Sequence, residues 1–349
     1  MSEKGPKVIG FRELMFPVQV IADDHKNRVR KNLVAIDEGI FQQSEVHPFI
    51  FTSFTIMYGR WKCNWSCPQF CYTKNLEVPD VDNTYLQGLI LSAQKMGAKF
   101  TYWPGTGEIT LFKGFWDIQK FQGQHKIPAV AYSNGSVFVD DRLALSALGI
   151  SSDQAVELLE LNPDLHIYIK FWSTDEELAR KLVGVTKERD LPYTDYKGLR
   201  MPLAFARLHE RFGSRIGLQT MVIPENFEDY KNNILPFCLA NGINVFAEPV
   251  INSGAAAKSI SSMLSATQMA EIQQFLASGV NYCQARQYGE LILIGNKLTP
   301  GIAIPPRDED VVASEADLLK ITSDSYFAEY RKMSLKENAC VCREYWLKK

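Results

Sequence analysis

Lys62-Cys63-Asn64-Trp65-Ser66-Cys67-Pro68-Gln69-Phe70-Cys71-Tyr72 sets three thiols on one short loop, directly after the apolar, strand-like run Pro48-Phe49-Ile50-Phe51-Thr52-Ser53-Phe54-Thr55-Ile56-Met57. Three cysteines this close together can surround a metal centre. An iron–sulfur cube held by only three protein ligands keeps one iron open for another ligand, so the pattern points to chemistry at the metal. A structural zinc or a redox-inert loop is the competing reading. Zinc usually takes four Cys or His ligands, and the nearest histidine, His47, lies before the strand.

Outward from this loop, strand-like runs alternate with helical patterns. After the first run come strands at Lys99–Trp103, Pro128–Ser133, His166–Trp172, Ile216–Ile223 and Ile243–Pro249. Helices are expected over Asp82–Met96, Gly114–Gly123, Ser151–Leu161, Asp175–Val183, Leu203–Phe212 and Asp229–Ala240, from apolar spacing and capping residues. Strands separated by helices argue for parallel βα units, and right-handed crossovers curl such a series into a full or partial barrel. The expected fold class is therefore α/β, a partial (β/α)6 TIM-like barrel over residues 48–252, with an N-terminal arm over 1–47 and a small α+β extension over 253–349. The arm carries a short hairpin candidate, Phe16–Ile21 with Leu33–Ile36. The extension opens at the small-residue linker Asn252–Ala257 and continues into a helix at Thr267–Leu276. Leu291–Ile294 and Gly301–Ile304 flank Gly295-Asn296-Lys297 there and read as a β-hairpin.

In a βα barrel the loops after the strands share one rim, where such folds place their chemistry. The cysteine loop, Gly105–Glu108, Asn134-Gly135, Ser173, Glu225-Asn226 and Glu248-Pro249 all fall at strand ends. Composition narrows the function classes. The chain has 349 residues, 46% of them hydrophobic, enough for a large core. A net charge of −2 offers no broad nucleic-acid-binding face, and the one basic cluster, His25–Lys31, reads as a solvated turn. No run of about 18 apolar residues indicates a membrane span, and the first residues lack the apolar segment of a secretion signal. Seven cysteines, an odd number with three in one loop, fit metal ligation in a reducing cytoplasm better than a disulfide framework.

The loop and the stations around it resemble the radical S-adenosylmethionine (radical SAM) enzymes. That family carries Cys-x3-Cys-x2-Cys after the first strand of a partial (β/α)6 barrel, with an aromatic before the last cysteine, the place Phe70 fills here. The present spacing, Cys-x3-Cys-x3-Cys, is one residue longer, and Pro68-Gln69 is read as a wider turn. Gly105-Thr106-Gly107-Glu108 looks like the family's Gly-Gly-Glu motif and Asn134-Gly135 like its Thr-Asn-Gly. Gln219–Val222 with Asn226 looks like its fifth strand, and Glu248-Pro249 closes its sixth. The likeness covers roughly residues 48–250.

The resemblance implies a [4Fe–4S] cluster on Cys63, Cys67 and Cys71, with S-adenosylmethionine chelated to the open iron. It implies cofactor contacts from Phe70, Gly105, Thr106, Gly107, Glu108, Asn134, Ser173 and Glu248. It implies reductive cleavage by an electron from a reductant such as flavodoxin or ferredoxin. The resulting 5′-deoxyadenosyl radical would abstract a hydrogen atom from a metabolite, sugar or peptide, leading to epimerisation, dehydrogenation or bond formation. The alternative from another class is a zinc- or iron–sulfur-stabilised binding protein on the same scaffold.

Four cysteines lie outside the loop. Cys283, Cys340 and Cys342 loosely resemble the ligands of a second, auxiliary iron–sulfur cluster in SPASM or twitch extensions, although Pro305-Pro306 stands where those extensions have a cysteine after the hairpin. Isolated core thiols are the other reading. Cys238, on an apolar helix, reads as a small core residue or as a hydrogen-atom donor. Lys170, inside an apolar strand, either points into the barrel towards a carboxylate or is solvated. Ser173 either contacts the cofactor or caps the following helix, and Glu108 either meets the cofactor amine or serves a helix start.

Overall fold

The computed structural model describes residues 53–59, 63–68, 71, 78–96, 98, 100–249, 264–265, 267–268, 271, 290–299, 306–322 and 327. The N-terminal arm with its hairpin, the linker at 252–257, most of the helix at 267–276, Phe70, Cys283, Cys340, Cys342 and the side chain of Glu248 lie outside the described residues.

Six parallel strands follow one another in chain order. They are β1 (Ser53–Met57), β2 (Phe100–Trp103), β3 (Ala129–Ser133), β4 (Leu165–Lys170), β7 (Ile216–Val222) and β8 (Val245–Pro249). An antiparallel pair, β5 (Tyr193–Tyr196) and β6 (Leu199–Pro202), forms a separate two-stranded sheet. A sheet whose order never reverses keeps all its crossovers turning the same way, which is how βα units curl towards a barrel. Curvature shows in the rings. Phe246 on β8 lies 5.6 Å from Tyr132 on β3, centroid to centroid. These strands are separated by β4 and β7, so a flat sheet with strands about 4.8 Å apart would hold them about 14 Å apart.

The two faces of the sheet have different contents. The outer one packs Phe54, Ile56, Ala129, Ile167, Ile169, Leu218 and their neighbours against the helices. The inner one gathers Phe100, Tyr102, Val130, Tyr132, Tyr168 and Phe246 into a cluster of its own. Every residue of β7 is buried, as expected for a strand covered on both sides.

The helices follow the sequence closely. Asp82 caps α1 (Asn83–Lys95) by accepting from the Thr84 and Tyr85 amides. α2 (Lys113–Gln124) covers the next crossover. An additional helix, α3 (Asp141–Leu148), runs from the Asp140 cap to Gly149 and precedes α4 (Ser152–Glu157), which continues as a 3-10 turn to Leu161. After β4 come α5 (Glu176–Val183), the β5–β6 hairpin and α6 (Leu203–Phe212). The crossover after β7 is composite, with a π segment, Tyr230–Ile234, between helical turns Phe227–Asp229 and Leu235–Asn241. Pro236 explains the widening, because it has no amide hydrogen for the usual bond and its ring crowds the preceding turn.

The second hairpin differs from expectation in register. β9 (Glu290–Ile294) turns at Gly295-Asn296 and returns at once as β10 (Lys297–Thr299), so the second arm begins before Gly301. A two-residue turn with Gly295 at φ 62° suffices to reverse the chain. β9 also pairs in parallel with β1, from Ser53↔Glu290 to Met57↔Ile294, extending the barrel sheet. The boundary at residue 252 therefore divides the chain and not the sheet.

Candidate active site

The cysteine loop leaves β1 at the strand's C-terminal end. Three consecutive residues between its first two cysteines are each tied to a different part of the rim. Asn64 accepts from the Asn134 amide group (2.7 Å) and donates to the Ser136 hydroxyl (2.9 Å) beyond β3. Trp65 is buried and donates its indole N–H to the Asp190 carbonyl (3.3 Å). The Ser66 amide donates to the Val183 carbonyl at the end of α5 (3.0 Å). Cys63 is exposed, and Cys67 and Cys71 are half-buried.

Glu108 ties the ends of β2 and β3 together. Its carboxylate is fully buried, with Oε1 accepting from the Thr110 amide and hydroxyl and the Ser133 hydroxyl, and Oε2 from the Asn134 amide at 2.6 Å. It also serves as the cap of the 3-10 turn Ile109–Leu111. Thr106 donates to the Gly59 carbonyl at 2.7 Å, which binds the same loop to the end of β1. Gly105 takes φ 82°, in the left-handed region, and a Cβ there would sit 3.0 Å from the Gly107 carbonyl oxygen.

Lys170 ends β4 on the inner face, half-buried, next to Gln219 in the sheet register. Burial pulls its ammonium down. Glu108 and then the Cys63, Cys67 and Cys71 sulfurs more than offset this and leave it above its ordinary value. Reciprocally, desolvation pushes the half-buried Cys67 thiol up to about 12, with Lys170 pulling it down. The structure thus settles the side of the barrel on which Lys170 lies, and brings five sequence-selected residues, Lys170, Glu108 and three cysteines, within electrostatic reach of one another.

Other selected residues are placed as follows. Ser173 donates to Asp229 (2.7 Å) and accepts from the Asp175 amide, while Asp175 itself caps α5 through the Glu177 and Leu178 amides. The helix cap is therefore two residues later than Ser173, because Asp175 is the residue directly before the first helical turn. Asn226 is buried behind the rim, bonded to the Trp172 and Met221 carbonyls and the Ile223 amide. Cys238 stands apart, fully buried among the helix-side core residues, where burial raises its thiol beyond the ordinary range. Glu248 ends β8 opposite Met221 in the register.

The donor set fits a cluster held by thiolates. Among the described residues no group of three His, Cys, Asp or Glu side chains could hold a single ion, yet the three sulfurs act on one another electrostatically. Three thiols on one loop are the donor chemistry of an iron–sulfur cluster, whereas zinc usually takes four Cys or His ligands. A cation at Lys170 complements the charge of assembled thiolates.

Neither a family model nor a curated protein matches the chain. Solved structures do. SuiB from Streptococcus suis bound to S-adenosylmethionine superposes with a TM-score of 0.58 at 14% identity, covering 87% of this chain and 72% of that one. SuiB bound to precursor peptide SuiA gives 0.56 at 12% identity, covering 90% and 71%. The protein anSMEcpe with bound AdoMet gives 0.52 at 11% identity, covering 82% and 81%. At these identities the likeness establishes the architecture. The chain shares the fold of these S-adenosylmethionine-bound proteins, in keeping with the α/β partial barrel expected from its alternating strands and helices.

Proposed function

We propose that this chain is a radical SAM enzyme whose cluster is held by Cys63, Cys67 and Cys71. The observation that carries the reading is the tie of the cysteine loop to the strand-end rim, through Asn64 to Asn134 and Ser136 and through Asn134 to Glu108. Bound there, a [4Fe–4S] cluster and S-adenosylmethionine would supply reductive carbon–sulfur cleavage and a 5′-deoxyadenosyl radical that abstracts hydrogen.

The chain's own residues do the positioning. Gly105–Gly107 present main chain to the methionine amine, and Glu108, spent on Thr110, Ser133 and Asn134, holds that segment rigid. Lys170 pairs with a carboxylate of the cofactor or the substrate. The aromatic lining of Tyr102, Tyr132, Tyr168 and Phe246 excludes water beneath the reacting atoms. Glu248, near the end of β8, is assigned the contact to the adenosine or the substrate. The substrate is a peptide or a small metabolite, and the precursor peptide bound by SuiB, a protein of the same fold, supports the peptide class. The reductant is a flavodoxin or ferredoxin, and Cys283, Cys340 and Cys342 hold an auxiliary cluster.

Protein purified without oxygen is expected to be brown and to form 5′-deoxyadenosine from S-adenosylmethionine and dithionite. The variant with Cys63, Cys67 and Cys71 all changed to Ala is expected to lose that activity and about four irons. A colourless, zinc-loaded wild type that never cleaves the sulfonium would establish the binding protein instead. Iron remaining in the triple variant would count the auxiliary cluster.

A further inference from the structure

Between β4 and the crossover helix α6 the chain inserts α5, the stretch 184–192 and the β5–β6 hairpin. This insertion reaches the cysteine loop at two points, through the Ser66 amide on the Val183 carbonyl and through the Trp65 indole on the Asp190 carbonyl. Between them lies Gly184, the left-handed residue that ends α5, at φ 68°. A Cβ at Gly184 would stand 2.7 Å from the Ser66 carbonyl oxygen and 3.0 Å from its carbon. Both are main-chain atoms, which cannot rotate out of the way, so any side chain at 184 displaces the loop one residue before Cys67.

We propose that the segment 183–190 is a seat for the cysteine loop, and that Gly184 is a positioning residue that sets where the Cys63 and Cys67 sulfurs stand. The inference deepens the assignment of this loop as the cluster site and rests on it for its metal readout. Its geometric content concerns the loop itself. The seat works through contact, whereas most helix-ending glycines work only through their permitted backbone angle. Gly149 supplies the comparison within the same molecule. It ends α3 at φ 76°, and a Cβ there would meet nothing within 4 Å. Substituting Ala at either position imposes the same left-handed strain, and only Gly184→Ala adds the collision with Ser66.

The experiment compares Gly184→Ala, Gly149→Ala and the wild-type full chain, with Trp65→Phe as a second probe that removes the Asp190 bond and leaves the glycine intact. In the iron-loaded protein, Gly184→Ala is expected to release iron to a chelator at least about tenfold faster than Gly149→Ala, the scale on which ligand-supporting contacts act. Its reduced-cluster electron paramagnetic resonance signal should also shift. In the metal-free protein, the alkylation rates of Cys63 and Cys67, read by mass spectrometry, should change in Gly184→Ala and Trp65→Phe and stay at the wild-type level in Gly149→Ala. Equal behaviour of the two alanine variants in both assays would overturn the seat and leave backbone strain as the only effect. A wild type that binds no iron, with alkylation still altered only in Gly184→Ala and Trp65→Phe, would refute the cluster assignment and preserve the seat.

Discussion

Along β4, Leu165, Ile167 and Ile169 face the helices, while His166, Tyr168 and Lys170 alternate with them towards the inside of the barrel. The same strand thus writes two kinds of surface. The helix-facing one is aliphatic and close-packed, and its residues are interchangeable within limits of volume. The inward one is aromatic and polar, and it keeps groups that packing alone would discard. The Tyr168 hydroxyl and the His166 Nδ1 are buried with no hydrogen-bond partner among the described residues. Each such group costs about 1–3 kcal/mol relative to a satisfied or apolar replacement. The outer face holds the fold together, and the inner face spends part of that stability on polar groups aimed at whatever occupies the barrel.

The sharpest way to break this comparison is a pair of variants one strand apart. Leu218→Ala, on the outer face, is expected to lower unfolding free energy by about 3 kcal/mol in chemical denaturation. Lys170→Met, on the inner face, is expected to leave the midpoint near wild type, retain its iron and cut 5′-deoxyadenosine formation by about 10- to 100-fold. A Lys170 variant that unfolds as readily as Leu218→Ala would merge the two faces into one structural role. Tyr168→Phe removes an unpaired hydroxyl at nearly constant volume and is expected to raise stability by about 1 kcal/mol; a loss of similar size would show that the hydroxyl has a partner. The smallest effect concerns pH. Burial, assisted by Arg215, lowers the His166 pKa below its ordinary 6.5. The folded state then binds the proton less readily than the unfolded one, so the stabilisation is complete above about pH 6.5 and is lost as pH falls through the folded value. Urea titrations of wild type and His166→Asn should run parallel above that pH and differ in slope below it.

Much of this was legible in the sequence for reasons that the two faces make plain. All six barrel strands carried apolar runs long enough to be seen, because burial on both sides leaves few polar interruptions. The rim stations were found from their position after strands, and Glu108 and Asn134 do join the cysteine loop's Asn64 there, while Lys170 was read inside a strand with its side left open. What stayed hidden was the β5–β6 hairpin, Tyr193–Tyr196 with Leu199–Pro202. Its turn uses Lys197 at φ 51° before Gly198, and a lysine in the left-handed region carries none of the Asn-Gly or Asp-Gly signature by which such turns are recognised. Asn64 was overlooked because a polar residue in a loop gives no hint that both ends of its amide are engaged. Gly184 was invisible in principle, since its meaning comes from a main-chain atom more than a hundred positions earlier in the chain. A glycine placed after Lys181-Leu182-Val183 does signal a helix end, but not what leans on it.

The parallel pairing of β9 with β1 has a consequence for biogenesis. Until residues 290–294 have emerged from the ribosome, the strand that leads into the cysteine loop has β2 on one flank only and remains a bare sheet margin. A chain that stops short of that point would lack the second neighbour of β1 and so one of the two walls behind the cysteine loop.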